Sequence, residues 1–94
     1  MEPILERSTD WSNAAFSNKE LLLIGNDPVD LTAAWCVKEA YVKMAKTELK
    51  NPKNWEILDF DRVLSRAKIA DVEVKWRVHK QYVIAICIAH APMT

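Results

Sequence analysis

The run Trp35-Cys36-Val37-Lys38-Glu39-Ala40-Tyr41-Val42-Lys43 gathers the residue types in this chain that could do chemistry. On a helix, Trp35, Glu39 and Lys43 stand four apart and share a face, with Lys38 on its flank. A carboxylate set between two ammonium groups can hold a divalent cation while the ammonium groups take phosphate oxygens. Phosphoryl transfer needs that mixture, because its transition state spreads negative charge over oxygens that cations must neutralise. The same spacing is also an ordinary surface ion pair, worth about 0.2–0.5 kcal/mol. Spacing alone does not separate the two.

The remaining reactive side chains have local explanations. Cys36 and Cys87 lie far apart in apolar surroundings and read as small buried hydrophobes in a reducing compartment. His79 falls on the wet side of an alternating segment and His90 at a fraying end, so both read as solvated. Neither a zinc-type Cys/His spacing nor a glycine-rich phosphate loop occurs.

The elements that must position the Glu39 run can be read from their ends. Residues 1 to 13 have no usable periodicity and are expected to form an irregular arm. Ser17 with Glu20 makes a capping box, and Phe16 with Leu21 fits the hydrophobic staple around it. A short helix is predicted from Asn18 to Ile24, stopped by Gly25 in a left-handed conformation. Asp27 then caps a second helix with Pro28 at its first position and Asp30 in its first turn. Nothing breaks that helix before about Leu49, and Leu31, Ala34, Tyr41, Ala45 and Leu49 form its expected buried stripe. Asn51-Pro52 stops it.

Beyond Pro52 the period shortens. Trp55 to Phe60 is strand-like, and Asp61 to Ala70 reads as a helical turn or a loop. Val72 to His79 alternates: Val72, Val74, Trp76 and Val78 face the core, and Glu73, Lys75, Arg77 and His79 face water. Lys80-Gln81 marks a turn. Tyr82 to Ala89 is apolar on both faces, as an interior strand would be. Two helices followed by antiparallel strands place the chain in the α+β class.

The 94 residues allow one domain, 1–94. Thirteen basic and thirteen acidic residues cancel, which argues against a nucleic-acid binder. Glu2 and Glu6 exclude a secretory leader, and the longest apolar run is too short to span a membrane. The expectation is a cytoplasmic protein.

The motif Trp-x-x-Lys-Glu-Ala-x-x-Lys, here Trp35 to Lys43, resembles that of the surfactin-type phosphopantetheinyl transferases, and its wording is similar to the fungal members in particular. Phe16-Ser17 with Glu20, Trp55 to Phe60, Asp71 to Val74 and Tyr82 to Ala85 resemble further segments of the family's C-terminal lobe, so the likeness covers residues 14–89. It implies a single transferase-like lobe, a long helix on a small antiparallel sheet. It also implies the family reaction, attack of a carrier-protein serine on the β-phosphate of coenzyme A with 3′,5′-adenosine diphosphate leaving. Carried over by position, Glu39 would be a magnesium ligand, and Lys38 and Lys43 would contact the phosphates of coenzyme A or help activate the serine. Trp35 would pack beside the site. Glu39 and Lys43 are the catalytic candidates, with Lys38, Lys43 and Trp35 on the coenzyme A side.

One departure shapes the expectation. The family places a Gly-hydrophobic-Asp segment, whose aspartate also binds metal, some forty residues before the Lys-Glu pair, ahead of the first residue here. Glu39 is then the single carboxylate of the site, and magnesium is expected to bind weakly. The lobe interface left bare predicts a homo-oligomer, most simply a dimer; alternatively the arm, with Ile4, Leu5 and Trp11, folds back over it. Three functions remain open: a working transferase with an acyl or peptidyl carrier protein as partner; a truncated relative reused as a small-molecule binder or a different catalyst; and a module that docks carrier proteins without catalysis.

Overall fold

The computed structural model of the chain describes residues 2–48 and 50–90. The expected irregular arm is ordered: Glu2–Pro3 form a short strand (β1) and Thr9–Ala15 a helix (α1). Ser8 caps α1, its hydroxyl accepting from the Trp11 N–H, and Asp10 lies in the first turn, where the helix dipole favours negative charge. Two aromatic contacts then fix α1 in place. The Trp11 ring meets Phe16 at 5.8 Å and Trp35 at 5.6 Å, both edge-on, and Ile4 packs against the same core.

Helix α2 runs over Asn18–Ile24 with both arms of the capping box made. The Glu20 N–H donates to Ser17 Oγ at 3.2 Å, and the Ser17 N–H donates to Glu20 Oε1 at 2.9 Å. Gly25 ends α2 at φ 83° and ψ −160°. Its φ is positive, but the ψ lies away from the left-handed helical region, in territory essentially restricted to glycine. A Cβ there would meet only Arg62 Nη2, at 4.0 Å, so space is not what demands glycine. Gly25→Ala is therefore expected to cost about 1–3 kcal/mol through backbone strain alone. A urea midpoint unchanged from wild type would show that the turn relaxes.

Helix α3 spans Pro28–Met44, with Asp27 accepting from the N–H groups of Val29 and Asp30. It ends short of the predicted Leu49, which lies outside the described residues. Lys46 turns to φ 56°, and the Thr47 N–H donates back to the Val42 carbonyl. Its core face also differs from the expected stripe. Leu31 and Ala34 are buried, but Tyr41 is half-buried and Ala45 exposed, while Ala33, Cys36, Val37 and Val42 are buried. The reason is that α3 has neighbours on more than one side: the sheet, above all its last two strands, and α2.

A single 3-10 turn over Pro52–Asn54 leads into β2 (Ile57–Asp61). The ambiguous stretch that follows is a hairpin. Asp61 Oδ1 accepts from the N–H groups of Val63 and Leu64, and β3 (Arg66–Ile69) returns with Ala67 and Ile69 buried between exposed Arg66 and Lys68. Strand β4 (Val72–His79) falls where alternation placed it, and β5 (Tyr82–His90) follows the apolar run, one residue beyond the expected Ala89. All pairs are antiparallel, in the order β1-β5-β4-β3-β2. The core lies between α3 and one face of this sheet, where Val72, Val74, Trp76 and Val83 are buried and Trp76 stacks on Phe60 at 5.7 Å.

Among the described residues no element packs on the other face of the sheet. Tyr82, Ile84 and Ile86 of β5 stand opposite His79, Arg77 and Lys75 of β4, and Ile86 is 63% exposed. The second face of β5 is thus apolar and, among the described residues, uncovered. Val78, expected in the core, is exposed although its cross-strand partner Val83 is fully buried. Among the described residues no helix is long and apolar enough to cross a membrane.

Candidate functional site

Strand β1 pairs with β5 so that Glu2 stands opposite Val83, and the Ile4 N–H donates to the Gln81 carbonyl at 2.7 Å. Paired residues point to the same side of a sheet, and Val83 faces α3. Glu2 is therefore aimed at α3. There it meets the helical row Cys36, Glu39, Ala40 and Lys43, spaced i, i+3, i+4 and i+7. These four residues, Glu2 and Ala85 line a cleft of about 120 Å³. At roughly 30 Å³ for each water, it has room for a hydrated cation or one phosphate group but not for a nucleotide.

The electrostatics of this cleft are dominated by the two acids. Glu39 is half-buried, and its carboxyl is pushed up to about 7, first by burial, then by its hydrogen bond and charge repulsion with Glu2; Lys43 pulls the other way. Two carboxylates that share a small site cannot both ionise freely, so between them they hold a proton near neutrality. This has a consequence for stability. The folded chain keeps a proton on Glu39 between about pH 4.5 and 7, where the unfolded chain has released it. Folding stability from this group is thus full below that window and is lost as pH rises through it. The urea midpoint of Glu39→Gln relative to wild type should accordingly rise between pH 5 and pH 8. A difference independent of pH would mean that Glu39 titrates as a solvated carboxylate.

A family model described as the 4′-phosphopantetheinyl transferase superfamily matches residues 1–87, all but the last few residues of the chain. The chain belongs to that superfamily. No curated protein and no solved structure matches it. An α+β lobe with a long helix on an antiparallel sheet is the architecture expected of a phosphopantetheinyl transferase, and three helices with a five-stranded sheet form it here.

Of the superfamily motif, Glu39 and Lys43 come together in the cleft, while Trp35 and Lys38 do not join them. Trp35 lies one position round the helix from Cys36 and packs on Trp11. Lys38 is turned away altogether. Its side chain is fully buried, and its Nζ donates to the carbonyls of Ala15 at 3.0 Å and Pro52 at 2.7 Å and pairs with Glu20 Oε2 at 2.8 Å. Burial pulls its ammonium below the ordinary lysine value, and the Glu20 contact works against that fall. The expected contact between Lys38 and a coenzyme A phosphate therefore has no support in this geometry, because every ammonium proton is already taken.

Glu2 is the residue that the sequence did not reveal. A two-residue strand carries no periodicity, and only its pairing with β5 brings the carboxylate to Glu39. The cysteines stay outside the chemistry. Cys36 borders the cleft, but its thiol is buried, donates to the Val83 carbonyl at 3.4 Å and is pushed up to about 11 by burial; Cys87 is also raised by burial. A larger hollow along β2 and β3 is lined by Asp59, Asp61, Glu73, Arg66 and Lys68. Arg66 there pairs with Glu73 at 3.1 Å and Asp61 caps its own turn, so those charges have structural duties. Asp27 serves as the cap of α3, and Asp30 pairs with Arg62.

Proposed function

We propose that this chain is a phosphopantetheinyl transferase that moves 4′-phosphopantetheine from coenzyme A to a carrier-protein serine. The observation that carries the reading is the Glu2–Glu39 pair beside Lys43 in one cleft on the superfamily's motif helix. The donor set suits magnesium, which takes one or two carboxylates and keeps waters and substrate phosphates for its other positions. Glu2 and Glu39 would hold the ion in place of their shared proton. When bound, the ion supplies positive charge to the phosphate oxygens of coenzyme A.

The chain's own residues do the rest. Lys43, exposed at the rim of the cleft, offers an ammonium to the same oxygens and guides them to the carboxylate pair. In the reaction a bond forms between the serine oxygen and the β-phosphorus, the bond from that phosphorus to the departing 3′,5′-adenosine diphosphate breaks, and the serine hydroxyl proton passes to solvent water. Because the cleft is too small for the nucleotide, coenzyme A lies mostly across the surface or against a second chain. The outer face of the sheet, where Tyr82 and Ile86 are exposed, suits a second copy, which makes the working form a homodimer. Sedimentation as a 10.8 kDa monomer at micromolar concentration would reject that part.

The transfer itself is tested by incubating the protein with coenzyme A, magnesium and an apo carrier protein, then weighing the carrier. A gain of one phosphopantetheine is expected. No gain from protein that remains folded would leave a binding or docking role instead.

A further inference from the structure

A fully hydrogen-bonded buried ion pair lies behind the motif helix. An ammonium has three protons, and three groups take them: the Ala15 carbonyl, the Pro52 carbonyl and the Glu20 carboxylate. The Glu20 carboxylate is equally occupied. Its Oε1 accepts from the Ser17 N–H and its Oε2 from the Ile57 N–H, each at 2.9 Å. Both side chains are 0% exposed, and the Phe16 ring lies 4.9 Å from Lys38 Nζ. One pair thus ties the end of α1, the start of α2, the 3-10 turn and the first residue of β2 to a single point on α3. That point is the residue beside Glu39.

Neighbouring residues on an α-helix point about 100° apart. With Lys38 fastened toward α2 and β2, Glu39 is turned toward the β1–β5 edge, where Glu2 waits. A rotation of α3 that relaxed one contact would spoil the other. We propose that Lys38 is a positioning residue: locked to Glu20, it sets the rotation of α3 that holds Glu39 against Glu2, and it does not bind substrate phosphate. This rests on the transferase reading for the importance of the cleft, but its geometry can be tested without any transfer.

The discriminating variant is Glu20→Gln, which keeps the size of the side chain but only one of its two acceptor oxygens, leaves Lys38 in place and lies outside the cleft. Two readouts are taken on Glu20→Gln, Lys38→Met and the double variant. One is the set of NOEs between the Glu2 and Glu39 side chains, and the other is the kcat and coenzyme A KM of transfer. If Lys38 positions Glu39, Glu20→Gln should weaken or abolish the Glu2–Glu39 NOEs, as the two side chains separate. It should also cut kcat by about tenfold while KM stays within about threefold. The double variant should be no worse than Lys38→Met, since both substitutions break one connection.

Two results would overturn the proposal. One is a Glu20→Gln protein with unchanged Glu2–Glu39 NOEs and unchanged kcat. The other is a folded Lys38-substituted protein whose Glu2–Glu39 NOEs are unchanged but whose coenzyme A KM rises about tenfold, the signature of a lost phosphate contact. Should Lys38→Met not fold, Glu20→Gln alone carries the test. Should the wild type transfer nothing, the Glu2–Glu39 NOEs still decide for or against Lys38 while the transferase reading fails separately.

Discussion

Glu39→Gln should lower transfer of phosphopantetheine by about 100- to 1,000-fold, the usual consequence of removing one preorganised group that stabilises transition-state charge. Glutamine keeps the shape of the side chain but cannot supply an anionic oxygen to a cation. The fold should survive, because Glu39 is only half-buried and its partner Glu2 would gain a neutral neighbour in place of a repelling one. Glu2→Gln should fall by a comparable factor, and this second variant is the sharper trial. A transferase with Glu39 as its single carboxylate would tolerate it; a paired site would not. The measurement is carrier mass gain against time for the two variants beside wild type, with circular dichroism to establish that they fold. Full transfer by Glu2→Gln would remove that residue from the site.

The largest loss of stability should come from Lys38→Met. Removing one member of a buried ion pair strands the other, and such changes cost about 3–5 kcal/mol. Here the stranded group is Glu20, fully enclosed and still bound to two backbone N–H groups. A domain of this size has only about 5–10 kcal/mol of net stability, so most of it would go. Lys38→Met with Glu20→Gln should recover part of the loss, because no uncompensated charge then stays buried. Urea unfolding of the three variants measures both numbers. A loss near 1 kcal/mol for Lys38→Met would mean that water reaches Glu20 and that the pair is not the anchor described above.

How far the sequence showed these things depended on how local their causes are. The starts of α2 and α3 were legible because a cap is made within three or four residues, as by Ser17 with Glu20 and by Asp27 with Pro28. Strand β4 was legible because its alternation runs for eight residues. Strand β3 has only four, and Ala67 is a weak apolar signal, so its Arg-Ala-Lys-Ile pattern was passed over. Helix α1 was missed because Trp11 is its one large apolar residue, although Ser8 and Asp10 did mark a start.

The site divides along the same line. Glu39 and Lys43 share a helical row, and four-residue spacing was enough to join them. The fate of Lys38 depended on Glu20, eighteen positions away, whose capping role concealed a second one. No spacing rule links them; only the fold does. Glu2 reaches Glu39 through a strand of two residues paired with the far end of the chain. Long-range pairing of that kind leaves no trace in local pattern.

Glu2 and Glu39 together hold either a proton or a cation in the proposed site. The direct measurement is a carbon-13 NMR titration of the Glu39 carboxyl, first in the free protein and then with magnesium and coenzyme A present. The predicted result is a Glu39 midpoint of about 7 in the free protein. With magnesium and coenzyme A added, that midpoint should fall by more than about one unit, because the cation displaces the proton. Magnesium alone should move it much less, since two carboxylates without substrate oxygens make a weak site. A Glu39 that titrates near 4.5, indifferent to magnesium with coenzyme A, would contradict the account.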